Sequence, residues 1–332
     1  MKKFKLSKLV LIALSLMMML TACGNQNDAN NSNGGQGSTV DITDVHGVVS
    51  VPINPKRVVA LDNRTFETLS DWKIELKAAP KDVMPSDSTY VLDESVQNIG
   101  NHREPNLEII AAVNPDLVIV GQRFASYYDQ IKELVPNAAV VDFSFDVSKD
   151  AATPGKNLVN GLKDSTIALG KIFSKELEAN KLVSDFDDAI ESVNKAYNGT
   201  DTVMGVIVSG GNIGYAAPGS GRVWGPMFEI FNWKPALDVD NSTSDHQGDD
   251  ISVEAIAQSN PQWVFVLDRD AATSDASQAV PAQDVINNAP ALQNIDAIKA
   301  NHVVYAPKDT YTNESIQTYL ELFNNLAKAL AE

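Results

Sequence analysis

The sequence predicts an α/β protein built as two lobes joined by a helical strut. Three observations carry this. Short apolar runs such as Leu117–Val120 and Trp263–Leu267 alternate with amphipathic helical segments, and runs of that density suit parallel strands covered on both faces. The stretch from residue 39 to the end of the 332-residue chain is about twice an ordinary domain. One unit also occurs twice. Leu107-Glu108 leads through a short helix to Asn114-Pro115 and a strand, and Val253-Glu254 leads through a short helix to Asn260-Pro261 and a strand, as two lobes of similar build require.

Residues 1–22 read as a signal peptide. Lys2, Lys3, Lys5 and Lys8 form a positive start, and Leu9–Leu20 is an apolar run too short to span a bilayer. Small residues then precede Cys23, the only cysteine, which has no partner for an internal disulfide. Residues 23–38 are a tether, because Gly24–Ser38 has almost no apolar side chain to offset the entropy of ordering it.

The first lobe is expected over 39–155. Val40–Ile53 reads as a hairpin turned at His46-Gly47, Val58–Leu61 as a short buried strand, and Asn63–Leu69 as the start of a helix. A helix over Leu107–Val113 is closed by Asn114-Pro115. The strand Leu117–Val120, a helix over Tyr127–Val135 and the strand Ala139–Phe143 follow. Over 156–199, apolar residues from Leu158 to Val193 recur at three- and four-residue steps until Asn198-Gly199. This segment is either two crossover helices or one stiff strut broken once near Gly170. The second lobe, 200–332, resumes with the strand Val203–Ser209, a helix from Val253, the strand Trp263–Leu267, the strand His302–Tyr305 and a last helix over Ser315–Leu330.

The formal charge is −17, and loss of the four signal lysines leaves the remainder more acidic still. That excludes nucleic acid, whose phosphates need basic patches, and adhesion of a protein surface to anionic lipid. An acidic body repels its own kind, so a monomer is expected. An anionic ligand would need arginines gathered locally. Arg123 and Arg269 follow strands, where open α/β sheets bind ligands. Arg222 ends Pro218-Gly219-Ser220-Gly221 ahead of a helix. A guanidinium faces several oxygens at once and keeps its proton. Any one of these arginines, taken alone, is equally explained by a surface ion pair. Arg64 and Arg103 are secondary candidates. Tyr127, Tyr128, Tyr215 and Trp224 are candidates to line the pocket by stacking, although at least two of them fit ordinary packing. His246 stands in a loop, Asp245-His246-Gln247-Gly248. The other histidines are scattered, unlike a zinc or manganese site. There is no Gly-x-Ser-x-Gly, His-Glu-x-x-His or P-loop, so no enzyme is expected, with an exported metal-assisted hydrolase as the alternative.

Asp44-Val45-His46-Gly47 through Val51-Pro52-Ile53-Asn54-Pro55-Lys56-Arg57-Val58-Val59, then Glu108–Val120 and Glu254–Val266, resemble the periplasmic-binding-protein family that delivers ferric siderophores, haem or cobalamin to ABC importers. Leu20-Thr21-Ala22-Cys23 resembles a lipobox, which implies that Cys23 is acylated and holds the chain to the outer face of the cytoplasmic membrane. The resemblance implies two Rossmann-like lobes joined by a long rigid helix, with the ligand in the cleft between them and little closure. It is nearest to the lipoproteins that bind catecholate siderophores of the petrobactin and enterobactin type. It implies that Arg123, Arg222 and Arg269 hold the anion. It further implies that His246 and Tyr311 ligate iron where a siderophore offers only four oxygens, although the family's tryptophan before that tyrosine is absent from Pro307-Lys308-Asp309-Thr310-Tyr311. Glu108 and Glu254 are the implied docking residues for the permease. No resident cofactor is implied, since the Fe(III) belongs to the cargo. Three catecholates leave ferric iron with a net charge of about minus three. A hydroxamate siderophore, haem or cobalamin is the alternative cargo.

Overall fold

The structure is a computed structural model that describes residues 38–148, 150–240, 242–273 and 279–332. The signal peptide, Cys23 and the tether to residue 37 lie outside the described residues. Among the described residues no helix is long and apolar enough to cross a membrane.

The expected hairpin is β1 (Thr39–Asp44) and β2 (Gly47–Pro52), antiparallel and closed at Asp44↔Gly47. A parallel sheet follows, made of β3 (Val58–Ala60), β4 (Leu76–Ala79), β5 (Gln97–Asn98), β6 (Leu117–Val120) and β7 (Ala139–Asp142) in the order β5-β4-β3-β6-β7. The chain runs outward from β3 to one edge and then returns to β6, so the strand order reverses between β3 and β6. The second sheet contains β8 (Thr202–Ser209), β9 (Asn212–Tyr215), β10 (Lys234–Pro235), β11 (Trp263–Asp268) and β12 (Val303–Tyr305). Its order is β10-β8-β11-β12, all parallel, with β9 antiparallel to β8. Its order reverses between β8 and β11. Each sheet is buried on both faces: Val58 and Ile119 face one core while Val59 and Val118 face another, and Ile207 and Phe265 are likewise opposed to Val206 and Val264. That is why the strands read as unbroken apolar runs.

The helical run expected over 156–199 is two helices, Pro154–Phe173 and Glu176–Ala196. The break falls at Ser174, in the left-handed region at φ 53°, four residues beyond Gly170. Gly170 serves a different end: a Cβ there would lie 2.6 Å from the Cβ of Ala179, so the glycine lets the two helices touch. The first helix, about 30 Å long at 1.5 Å per residue, enters both lobes. Leu158 and Leu162 pack with Trp224, Met227 and Phe231. Ala168, Leu169, Ile172 and Phe173 pack with Val51, Val58 and Leu76.

A second connection between the lobes is polar and buried. Glu67, in the short helix Phe66–Asp71 after β3, accepts hydrogen bonds through Oε2 from Asn313 Nδ2 (3.0 Å), from the Ser315 hydroxyl and from Thr318 Oγ1 (3.2 Å). Asn63 Nδ2 donates to the Thr312 carbonyl at 3.2 Å, and Thr68 Oγ1 to Gln317 Oε1 at 2.9 Å. Ser315 also caps the last helix, Ile316–Leu330, by accepting from the Thr318 amide.

Candidate functional site

Between the sheets, at the carboxyl ends of the strands beside both reversal points, lie two cavities. One, of about 700 Å³, is lined by Arg64, Gln122, Phe145, Arg222, His246 and Glu314 among others. The other, of about 830 Å³, is lined by Arg123, Asp268, Lys308 and Tyr311 among others. Arg64 follows β3 and Arg123 follows β6 in the first lobe; Arg269 follows β11 and Arg222 precedes the helix Trp224–Ile230 in the second. Ligands in open α/β sheets bind at such positions because the loops diverge there and leave a crevice.

The arginines converge on one short segment. Arg222 Nη2 and Arg123 Nη2 both donate to the Tyr311 carbonyl, at 3.0 and 3.4 Å. The Arg222 guanidinium lies 4.3 Å from the centroid of the Tyr311 ring and that of Arg269 lies 5.3 Å from it. Arg269 Nη1 also donates to Ser209 Oγ at 3.2 Å. Arg64, a secondary candidate from sequence, is 3 % exposed. Its guanidinium stacks 3.8 Å from the Phe145 ring. Buried N–H groups on Arg64, Arg222 and Arg269 have no protein partner among the described residues, which is unusual for so strong a donor.

Among these cations lies a buried carboxylate that sequence reasoning missed. Glu314 is 4 % exposed. Its Oε1 accepts from Arg222 Nη2, and its Oε2 from Arg64 Nη2 at 3.4 Å and Gln122 Nε2 at 3.2 Å. Burial works to raise this carboxyl, but Arg222, Arg64 and Arg123 outweigh it and hold it below its ordinary range. Burial, then Arg222, lowers Arg123. Asp62 is also buried. Burial pushes its carboxyl up to about 7 against the pull of Arg64, so at neutral pH it carries only part of a charge. The arrangement is a cleft in which guanidinium groups from both lobes gather around Tyr311 and Glu314.

Not every candidate from sequence is in it. Trp224 is 0 % exposed and packs against Phe265 in the second-lobe core. Tyr215 is 1 % exposed, with its hydroxyl bonded to the Leu237 carbonyl. Both are packing residues, a correction to their expected place in the pocket: an aromatic beside a glycine-rich turn satisfies either role, and here the core claims it. Tyr127 is tied by its hydroxyl to the His102 carbonyl at 3.2 Å and lines neither cavity. Tyr128 is buried, stacked on His46 at 3.7 Å. Arg103 is exposed on its loop. His46, given no role from sequence, lies at the cavity edge, with Nε2 3.2 Å from Asp142 Oδ2.

His246 is exposed on the rim of the first cavity; burial of its ring, then Arg222, lowers its pKa. Tyr311 is 6 % exposed and lines the second cavity, beneath the two guanidiniums. The pair expected to ligate iron therefore faces different cavities. Among the described residues no group of three or more His, Cys, Asp or Glu side chains is placed to hold a metal ion. Glu108 and Glu254 are both exposed in the first turns of their helices, Leu107–Ala112 and Val253–Ser259.

Known proteins share this fold. The chain is 28 % identical over 317 residues to the petrobactin-binding protein YclQ of Bacillus subtilis, covering 94 % of this chain and 93 % of that one. It is 27 % identical to the ferric-anguibactin-binding protein FatB of Vibrio anguillarum, covering 85 % of this chain and 84 % of that one. The YclQ crystal structure superposes with a TM-score of 0.72 at 23 % identity, over 89 % of this chain and 99 % of that one. The periplasmic catecholate-siderophore binding protein VctP of Vibrio cholerae superposes with a TM-score of 0.73 at 21 % identity, over 87 % and 99 %. A family model described as periplasmic binding protein matches residues 58–310. With a two-lobed fold, a cleft at both strand-order reversals and a match across most of its length, the chain belongs to the periplasmic binding protein family.

Proposed function

We propose that this protein captures an anionic ferric siderophore, of the catecholate class, and delivers it to an ABC importer for iron uptake. The observation that carries this is the meeting of Arg64, Arg123, Arg222 and Arg269 from both lobes around Tyr311 and Glu314. Guanidinium groups brought together from both lobes suit a chelate of about minus three. Hydroxamate complexes are near neutral and would not need several arginines. Relatives and neighbours whose names specify petrobactin, anguibactin and catecholate siderophores support the same class of cargo. For cargo that leaves two iron positions open, His246 and Tyr311 remain the proposed ligands, which requires Tyr311 to turn out from beneath Arg222 and Arg269. Cys23 is proposed as the lipid anchor on the extracytoplasmic side of the membrane, and Glu108 and Glu254 as the charges that meet the permease.

The test is a set of fluorescence-quenching titrations against ferric tricatecholates, ferric hydroxamates, haem and cobalamin. Tightest binding of the ferric tricatecholate, with its red-violet colour retained through gel filtration, is the expected result. Preference for a neutral hydroxamate complex or for haem would reject the anion-pocket reading.

A further inference from the structure

Glu314 occupies the position an anionic ligand would seek. Its two oxygens engage Arg222, Arg64 and Gln122. The same side chains line the 700 Å³ cavity, where Arg64 Nε and Nη1 and Arg222 Nε are buried without a protein partner. We propose that Glu314 is a resident counter-ion: an incoming anionic chelate takes over Arg64 and Arg222, and the Glu314 carboxylate takes up one proton from solution to become a neutral acid. This rests on the reading of the cleft as a site for an anionic ferric chelate.

Glu314 is 4 % exposed, and the next residue, Ser315, is held by Glu67 on one side and by the Thr318 amide on the other. Left ionised beside a trianion, its charge would face that anion after losing its cations to it, and a buried carboxylate without a cation neutralises instead. The groups that face it are known on every side. Asp62 and Arg64 follow β3, Gln122 and Arg123 follow β6, Arg222 comes from the second lobe, and Tyr319 lies one turn into the last helix. A receiver for the new O–H is also present: Gln122 Oε1 is buried with no partner among the described residues, and half a turn of the amide brings it to face Glu314.

Asp62 and His246 also sit in the field of these arginines and will take up some proton of their own, so the test separates the three. Calorimetric titration with a ferric tricatecholate, at about pH 6.5 in two buffers of different ionisation heat, counts the protons bound on loading. Net uptake is expected in the wild type, a smaller uptake in E314Q, and persistence of the Glu314 share in the double variant D62N/H246Q. Affinity of the wild type is expected to rise as pH falls from about 8 to about 6, more steeply than that of E314Q. Chelate bound with no proton uptake, or with the same count in wild type and E314Q, overturns the proposal. If E314Q does not fold, loss of all uptake in D62N/H246Q overturns it as well. A wild-type protein that binds no ferric chelate at all overturns the functional reading and this proposal together, which separates that failure from chelate binding without protons.

Discussion

Arg222 engages the Tyr311 carbonyl, the Tyr311 ring and Glu314. R222A should therefore weaken binding of a ferric tricatecholate by about 1.5–3 kcal/mol, the range for a charge-assisted contact, and R123A and R269A by less. Titrations that show all three variants unchanged would refute the assignment. Asp62 supplies a second prediction, in pH. Its carboxyl lies at about 7 in the folded chain against an ordinary 3.8, so the folded state keeps a proton that the unfolded state releases. The stability this gives is complete below about pH 4 and is lost as pH rises through about 7. Melting temperature should fall between about pH 5 and about pH 8 in the wild type, and fall less in D62N; equal slopes would contradict the buried acid. The arginines were legible because a strand end or a glycine-rich turn marks each one. Glu314 and Asp62 were not, since a buried charge and an exposed one look the same in a sequence and only packing distinguishes them. Trp224 and Tyr215 failed for the complementary reason, that large aromatic side chains stabilise cores as readily as they line pockets.

The element scale was the most legible. Asn114 and Asn260 close the two matching helices at φ 45° and 43°, the left-handed conformation asparagine tolerates well, and each is followed by a proline and a buried strand. The short edge strands β5 and β10, of two residues each, gave no apolar run to read. The position of the break between the long helices was missed because Gly170 looks like a breaker, whereas it is a contact point. Alanine ordinarily favours a helix over glycine by about 1 kcal/mol, but here its Cβ would meet Ala179 at 2.6 Å. G170A should therefore destabilise the protein, by about 1–3 kcal/mol as overpacking does, measured by urea denaturation. A gain in stability would show that the helices can separate without loss.

At the scale of the whole molecule, Glu108 and Glu254 offer one exposed carboxylate from each lobe. If they meet a cationic permease, E108A and E254A should leave chelate affinity unchanged and slow iron uptake by cells, because a rim charge governs encounter more than residence. Reduced chelate affinity in either variant would remove them from that role. The two-lobed plan followed from length and the repeated helix-Asn-Pro-strand unit, but the polar seam from Glu67 to Ser315 could not be foreseen, since its partners lie 248 residues apart in sequence.

That seam limits what the receptor can signal by shape. Wide opening would strip Glu67 of three donors at once and pull the strut from one of its two cores. Full and empty receptors should then share one outline and one radius of gyration in X-ray scattering. A transporter waiting at the membrane would have to recognise a loaded carrier by the cargo showing at its mouth, not by the angle of its jaws.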